Sequence, residues 1–205
     1  MKTRSSAPWR VTALLLALGV AGLLTTPAAM GQGKFVVKPL AEKKLARLPA
    51  GTLYWRIENF ATLAQAQAAA GPTALAAEAD GKAWLFTLGA KGGATAGGHE
   101  VAEIGPIPTI GAASYLLRIN SANGGPGAKT RVHSHPGSET FYVLSGRLAE
   151  KIPSGMIQVG AGQAAPGRAL GEPMQASSSG PDTLNALVMF VVDAGRPFSS
   201  PAKFE

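Results

Sequence analysis

Three histidines occur in the 205 residues of this chain, and two of them stand as His133-Ser134-His135, with Glu139 four residues further on. Successive side chains of a β-strand point to opposite faces, so His133 and His135 share a side. Pro136 and Gly137 break that strand, and Glu139 can return beside the histidines at the start of the next one. Two imidazoles and one carboxylate on one side of a divalent cation make a facial triad, which leaves coordination positions open for water, oxygen or substrate. The plain alternative is a polar strand end with surface histidines. The scarcity of histidine in the chain argues against it.

The elements that must position these residues are legible on either side. Gly127 lies in the turn-rich run Asn123-Gly-Gly-Pro-Gly127, and Gly146 sits in a Ser145-Gly146 hairpin turn between apolar strands at Thr140–Leu144 and Arg147–Ile152. From Gly127 to Gly146 the spacing is glycine, five residues, His-x-His, three residues, Glu, six residues, glycine. This resembles the first sequence motif of the cupin superfamily, with every fixed position filled, and a weaker resemblance runs on to about Gly195. The resemblance implies a mainly β fold, a single jelly-roll β-barrel, with one divalent transition metal (iron, manganese, nickel, zinc or copper) held by His133, His135 and Glu139.

The second motif of that family departs here. Its pattern is glycine, five residues, Pro-x-Gly, two residues, His, three residues, Asn. Gly162-Gln163 lies about where it should begin, and the later part fits one residue out of step as Gly171-Glu-Pro-Met174. Met174 then takes the place of a third histidine ligand, and Ser178 that of the asparagine. A thioether is a soft ligand that binds hard divalent ions poorly. Met174 is therefore read as a fourth position left to water or copper, or as packing and pocket lining.

Along the chain, Gln32 to Pro49 reads as a basic, partly ordered arm within residues 32–52. A single domain follows over 53–205, its motif-bearing barrel at about 112–195. Leu53–Ile57 and Ala83–Leu88 read as strands. Asn59 could cap an alanine-rich helix from Phe60 to Ala70, and a second short helix is expected at Ala74–Ala79, both packed outside the barrel. Lys91–Gly98 is a glycine-rich connection without the ending of a phosphate loop, and His99 after it reads as a surface residue. From Ser114 onward the chain alternates strands and turns: Tyr115–Ile119, Thr130–His135, Thr140–Leu144, Arg147–Ile152, Met156–Val159 and Leu184–Asp193. Leu184–Val192 is apolar on both faces, as a central strand covered by the amino-terminal helices would be.

The amino terminus sets the expected location. Lys2, Arg4 and Arg10 precede an apolar run from Val11 to Leu24, and Ala29-Met30-Gly31 reads as a small-x-small cleavage site. The run is short for a membrane span, which needs roughly 20 residues. Residues 1–31 are thus read as a secretory signal, and the mature protein as periplasmic or secreted, with no membrane attachment after cleavage. With no cysteine there are no disulfides and no thiolate ligands. The leader holds three of the 19 basic residues, leaving 16 against 12 acidic ones and a formal charge of +4. That balance and the absence of any nucleic-acid-binding motif exclude a nucleic-acid partner from the reading. A small-molecule partner is expected, and a homodimer is compatible with the sequence.

Two function classes follow. One is an exported metal-dependent enzyme acting on a small organic molecule; the family resemblance includes dioxygenases, isomerases and decarboxylases. The other is a non-catalytic binding or sensory barrel with a structural metal. The acid–base candidates are Tyr115, Tyr142, Arg131 and Glu172, and spacing singles out none. The strand parity that sends Glu139 inward sends Phe141 and Val143 inward as pocket wall and Tyr142 outward. Little acid–base apparatus leans the enzyme reading toward oxygen chemistry at the metal itself.

Overall fold

The computed structural model describes residues 33–108 and 110–205. The expected signal segment lies outside the described residues. The amino-terminal part forms β1 (Val36–Leu45), β2 (Tyr54–Phe60), helix α1 (Leu63–Ala69), β3 (Ala74–Ala79), β4 (Lys82–Gly89) and β5 (His99–Ile104). The motif-bearing part forms β6 (Tyr115–Gly124), β7 (His133–Ser134), β8 (Gly137–Ser145), β9 (Arg147–Ile152) and β10 (Gly155–Gly160). It continues through β11 (Ala164–Ala165), β12 (Gln175–Ser178), β13 (Leu184–Asp193) and β14 (Ser200–Pro201).

Four sheets stack in three layers. The middle one has the order β1-β6-β13-β8-β11. Its inner face looks toward β10-β9-β12 and the short pair β14-β7, and its outer face is covered by β3-β4-β2-β5. The strands β6, β13 and β8 are antiparallel and in long register, Val188 of β13 standing between Asn120 and Phe141. The two-faced apolarity of β13 follows from this position. Ala186, Val188, Phe190 and Val192 pack on the inner side, while Leu187, Met189 and Val191 meet Trp55, Trp84 and Phe86 of the outer sheet. Each fully buried tryptophan or phenylalanine removes some 150–250 Å² of surface from water, so this second core is a large stabilising term.

Two expectations are corrected. The strands around the site form separate sheets with open edges, so the jelly-roll is not a closed barrel. The short amino-terminal helices are not both present among the described residues: α1 is one helix, capped by Thr62 rather than Asn59, and its Oγ1 accepts from the Gln65 amide. Ala74–Ala79 is strand β3, paired with β4 through a turn at Asp80 (φ 52°) and Gly81 (φ 68°). Alanine favours helix, but an Asp-Gly pair with positive φ at both residues is the tight turn that suits a hairpin. Leu75 and Ala77 then face the core, and tertiary pairing overrides propensity. The cover on β13 is consequently a sheet rather than helices. Val36–Leu45, within the segment read as a basic arm, is a ten-residue strand along β6. Among the described residues no helix is long and apolar enough to cross a membrane.

Candidate metal centre

His133 and His135 lie at the start of a short strand and just past its end, and Glu139 lies on β8 beyond the Pro136-Gly137 turn. The turn can be this tight because Gly137 packs flat against β13. A side chain there would collide with the Val191 carbonyl and Val192. The structure brings one ligand atom from each of His133, His135 and Glu139 within 4.8 Å of the others. Ligand atoms about 2.1 Å from one ion and sharing a face of it would lie about 3.0–3.4 Å apart, so binding would draw the widest pair in by more than about an ångström. The Glu139 carboxylate stands 3.9 Å from His135 Nε2, beyond hydrogen-bond reach. The two imidazole rings meet edge to face with centroids 5.0 Å apart.

Both rings are oriented from behind. Nδ1 of His133 donates to the Arg131 carbonyl at 2.8 Å, and Nδ1 of His135 donates to the Phe198 carbonyl at 2.6 Å. A carbonyl only accepts, so each Nδ1 carries the proton and each Nε2 keeps a free lone pair, the tautomer that a metal needs. The His135 pKa is lowered to about 4, chiefly by burial, with His133 and Arg118 acting in the same direction and the Phe198 carbonyl against them. Burial also pushes Glu139 well above the ordinary carboxylate range, and the neighbouring Glu150 adds to the push.

That neighbour was missed in the sequence. Glu150 is 1% exposed on β9, and burial raises its pKa to about 7 despite the Arg168 guanidinium. Arg168 Nε stands 3.4 Å from Glu150 Oε2, yet Nε and Nη2 donate to the Pro166 carbonyl, and both Glu150 oxygens remain without a hydrogen-bond partner. Two buried carboxylates face one guanidinium. A bound cation would offset the excess negative charge, so charge balance as well as tautomer fits the residues to a divalent metal. The signal for Glu150 was the alternation Leu148, Glu150, Ile152, an apolar strand face with a carboxylate in its middle.

The triad opens on a cavity of about 210 Å³. Its walls are largely apolar: Phe35, Phe141, Val188, Phe190 and Phe198 surround the space, with Asn120, Thr130 and Ser199 as polar contributors. His133, half-buried, also lines an open cleft with Arg131 and Pro201. Phe198 is held in place by edge-to-face contacts with His135 (4.8 Å) and Phe190 (4.9 Å) and by the Arg118 guanidinium 4.2 Å over its ring. Phe35 and Phe198 come from the two ends of the described chain and carry no motif, so spacing could not have marked them.

Of the other expected site residues, Phe141 lines the cavity, while Val143 packs in the same apolar cluster without reaching its wall. Met174 is buried and stands directly across from His133. The two exchange backbone hydrogen bonds of 2.8 and 3.0 Å. Residues opposed in this way present their side chains on one face, although Met174 is not among the residues lining the cavity. Tyr142 points away from the site, into the core under the outer sheet, and the Tyr115 hydroxyl donates to the Ile110 carbonyl. Arg131 is exposed and Glu172 half-buried, neither on the cavity wall.

No family model and no curated protein matches the chain. Among solved structures it is similar to the polyketide cyclase RemF from Streptomyces resistomycificus, at 23% identity over 43% of this chain and 62% of that one, TM-score 0.37. It is similar also to the DMSP lyase DddQ from Ruegeria pomeroyi, at 17% identity over 42% of this chain and 43% of that one, TM-score 0.37. A cupin-like protein from Thermotoga maritima matches at 17% identity over 43% of this chain and 65% of that one, TM-score 0.38. In each case the match takes in less than two thirds of the other chain. The filled motif and its triad, rather than these partial likenesses, carry the argument from here.

Proposed function

We propose that this protein is an exported metal-binding cupin that acts on a small organic molecule at one divalent transition metal held by His133, His135 and Glu139. The observation that carries the reading is the convergence of two Nε2 lone pairs, each set by a backbone carbonyl on Nδ1, with a buried carboxylate at the wall of an apolar cavity. A bound metal would supply Lewis-acid or redox chemistry at its open positions. The protein's own residues exclude water through the phenylalanine walls, hold both imidazoles in one tautomer through the Arg131 and Phe198 carbonyls, and place a buried carboxyl group on β8 beside them.

Among the described residues lining the cavity, no carboxylate, lysine or tyrosine accompanies the triad. General acid–base chemistry therefore has no dedicated group, which favours either a reaction in which the metal is the reagent, oxygen chemistry included, or a barrel that binds without turnover.

The test is metal content. The purified protein, dialysed against zinc buffer, should carry about one zinc per chain, and His133→Ala/His135→Ala should carry almost none, because one carboxylate alone holds no ion in water. Equal metal content in both proteins would refute the reading. Screening metal-loaded protein for consumption of oxygen or of small aromatic and carbonyl substrates then separates enzyme from binding barrel.

A further inference from the structure

One buried polar group at the cavity has no role in holding a metal. Asn120 on β6 is 1% exposed and lines the space. Its Oδ1 accepts from Arg118 Nε at 2.9 Å. A guanidinium only donates, so this contact decides which way the amide is turned: oxygen toward Arg118, and the Nδ2 donors the other way. Arg118 is itself fixed, with Nη1 3.0 Å from Glu42 Oε1 and its guanidinium over the Phe198 ring. The amide cannot flip without facing donor to donor.

Strand register places this donor relative to the metal ligands. Arg118, Phe190 and Glu139 stand in one row across β6, β13 and β8, and Asn120, Val188 and Phe141 in the next inward-facing row. Asn120 is therefore two strand spacings, about 10 Å, from the strand of Glu139. On the intervening strand β13 stand the apolar side chains of Val188 and Phe190, with Phe35 and Phe198 also on the wall and Thr130 and Ser199 as its other polar side chains apart from the triad. Such a space fits one flat ring with a polar atom at each end.

We propose that Asn120 is a specificity-determining residue. The cavity selects a small, flat molecule with two opposed oxygen functions, one directed to the triad and the other a hydrogen-bond acceptor, a carbonyl or carboxylate, bound by Asn120 Nδ2. The first end rests on the metal reading given above; the second rests on Asn120 and Arg118 alone. A molecule without an acceptor at that end leaves a desolvated amide donor unpaired, which costs about tenfold or more in affinity.

Two probes of similar size and phenol acidity decide it: para-hydroxyacetophenone, which carries the acceptor, and para-trifluoromethylphenol, which lacks a strong one. Calorimetry on the zinc-loaded protein should give about tenfold tighter binding of the first. Asn120→Asp keeps the size and the contact to Arg118 but presents an acceptor, so it should erase that ratio while zinc content stays within about twofold. Equal binding of the two probes by the unaltered protein would overturn the proposal, as would an Asn120→Asp protein that keeps the preference. If the protein takes up no zinc, the metal reading fails, and the same ratio measured without metal still decides the role of Asn120. Should Asn120→Asp not fold, the ratio in the unaltered protein decides alone.

Discussion

The Phe198 carbonyl oxygen accepts from Nδ1 of His135 at 2.6 Å, joining residues 63 positions apart. The segment that leads into β14 thereby holds the second histidine of the triad. Ser200 and Pro201 pair with Ser134 and His133, so the tail braces the His-x-His segment as well as walling the cavity. A chain ending at Gly195 should bind zinc roughly 10–100-fold more weakly, the usual cost of losing a partner behind a metal-bound histidine. Phe198→Ala keeps the carbonyl and should stay within about threefold of the unaltered protein. Competition titration against a chelating dye reads both, and equal affinity of the truncated chain would show that the carbonyl does no orienting.

Met174 faces His133 across a two-strand bridge. Met174→His should add an imidazole beside the triad, tighten zinc binding about tenfold and close one open position. Spectra of cobalt-substituted protein report the coordination number directly. Identical spectra for the unaltered protein and the variant would mean that residue 174 points away from the metal.

Metal-free protein should be less stable at pH 7 than at pH 5. Burial raises Glu150 from 4.5 to about 7 and lifts Glu139 as well, so their contribution is fully present below about pH 4.5 and lost as pH rises through the folded values. His135 works in the opposite sense. Its pKa falls from 6.5 to about 4, so it stabilises above pH 6.5 and the contribution is lost toward pH 4. Two carboxylates against one imidazole leave a net fall in stability between pH 5 and 7. Glu150→Gln should remove most of it in denaturant titrations, because the Glu150 contribution alone falls by about 2 kcal/mol over this window. Zinc should add more stability at pH 7 than at pH 5, because metal binding requires an ionised Glu139. A metal-free protein that gains stability over this window would contradict the burial of these acids.

Gly146 closes the motif with φ 72°, and a Cβ there would lie 2.6 Å from the Thr183 carbonyl oxygen. Gly162 has φ 76° with nothing within 4 Å of the same position. Gly162→Ala should cost only the left-handed backbone term, about 1 kcal/mol, whereas Gly146→Ala adds a backbone clash and should cost about 3 kcal/mol or more. Unfolding curves compare the two. Equal losses would show that conformation alone, and not close approach, selects glycine at 146.

Export remains a matter for mass measurement. Expressed from its full reading frame in a bacterial host, the protein should be recovered outside the cytoplasm without residues 1–31. A soluble cytoplasmic product that retains Met1 would rule the signal out.

His133, His135, Glu139 and the two motif glycines were legible in the sequence because each obeys a local rule. Strand parity puts two imidazoles on one side, Pro136-Gly137 turns the chain, and Gly146 takes a φ that other residues avoid. Phe141 inward and Tyr142 outward follow from the same parity, and β9 and β13 run over the residues that the apolar runs marked. Ala74–Ala79 was misread because alanine's helix preference is a local property, while its strand state comes from pairing with β4 and from burial of Leu75 and Ala77. Asn120, Phe198 and Arg168 were beyond local rules altogether, and for Glu150 the alternation on β9 marked a buried position but not its neighbours. Their roles exist only where separate strands meet: an amide turned by a guanidinium on its own strand, a carbonyl aimed at a histidine 63 residues away, two carboxylates crowded inside one wall. The grouping of His133, His135 and Glu139 is thus a short-range property of the sequence. The tautomers, the charge balance and the shape of the space beside it are set by long-range contacts, which only the packed sheets create.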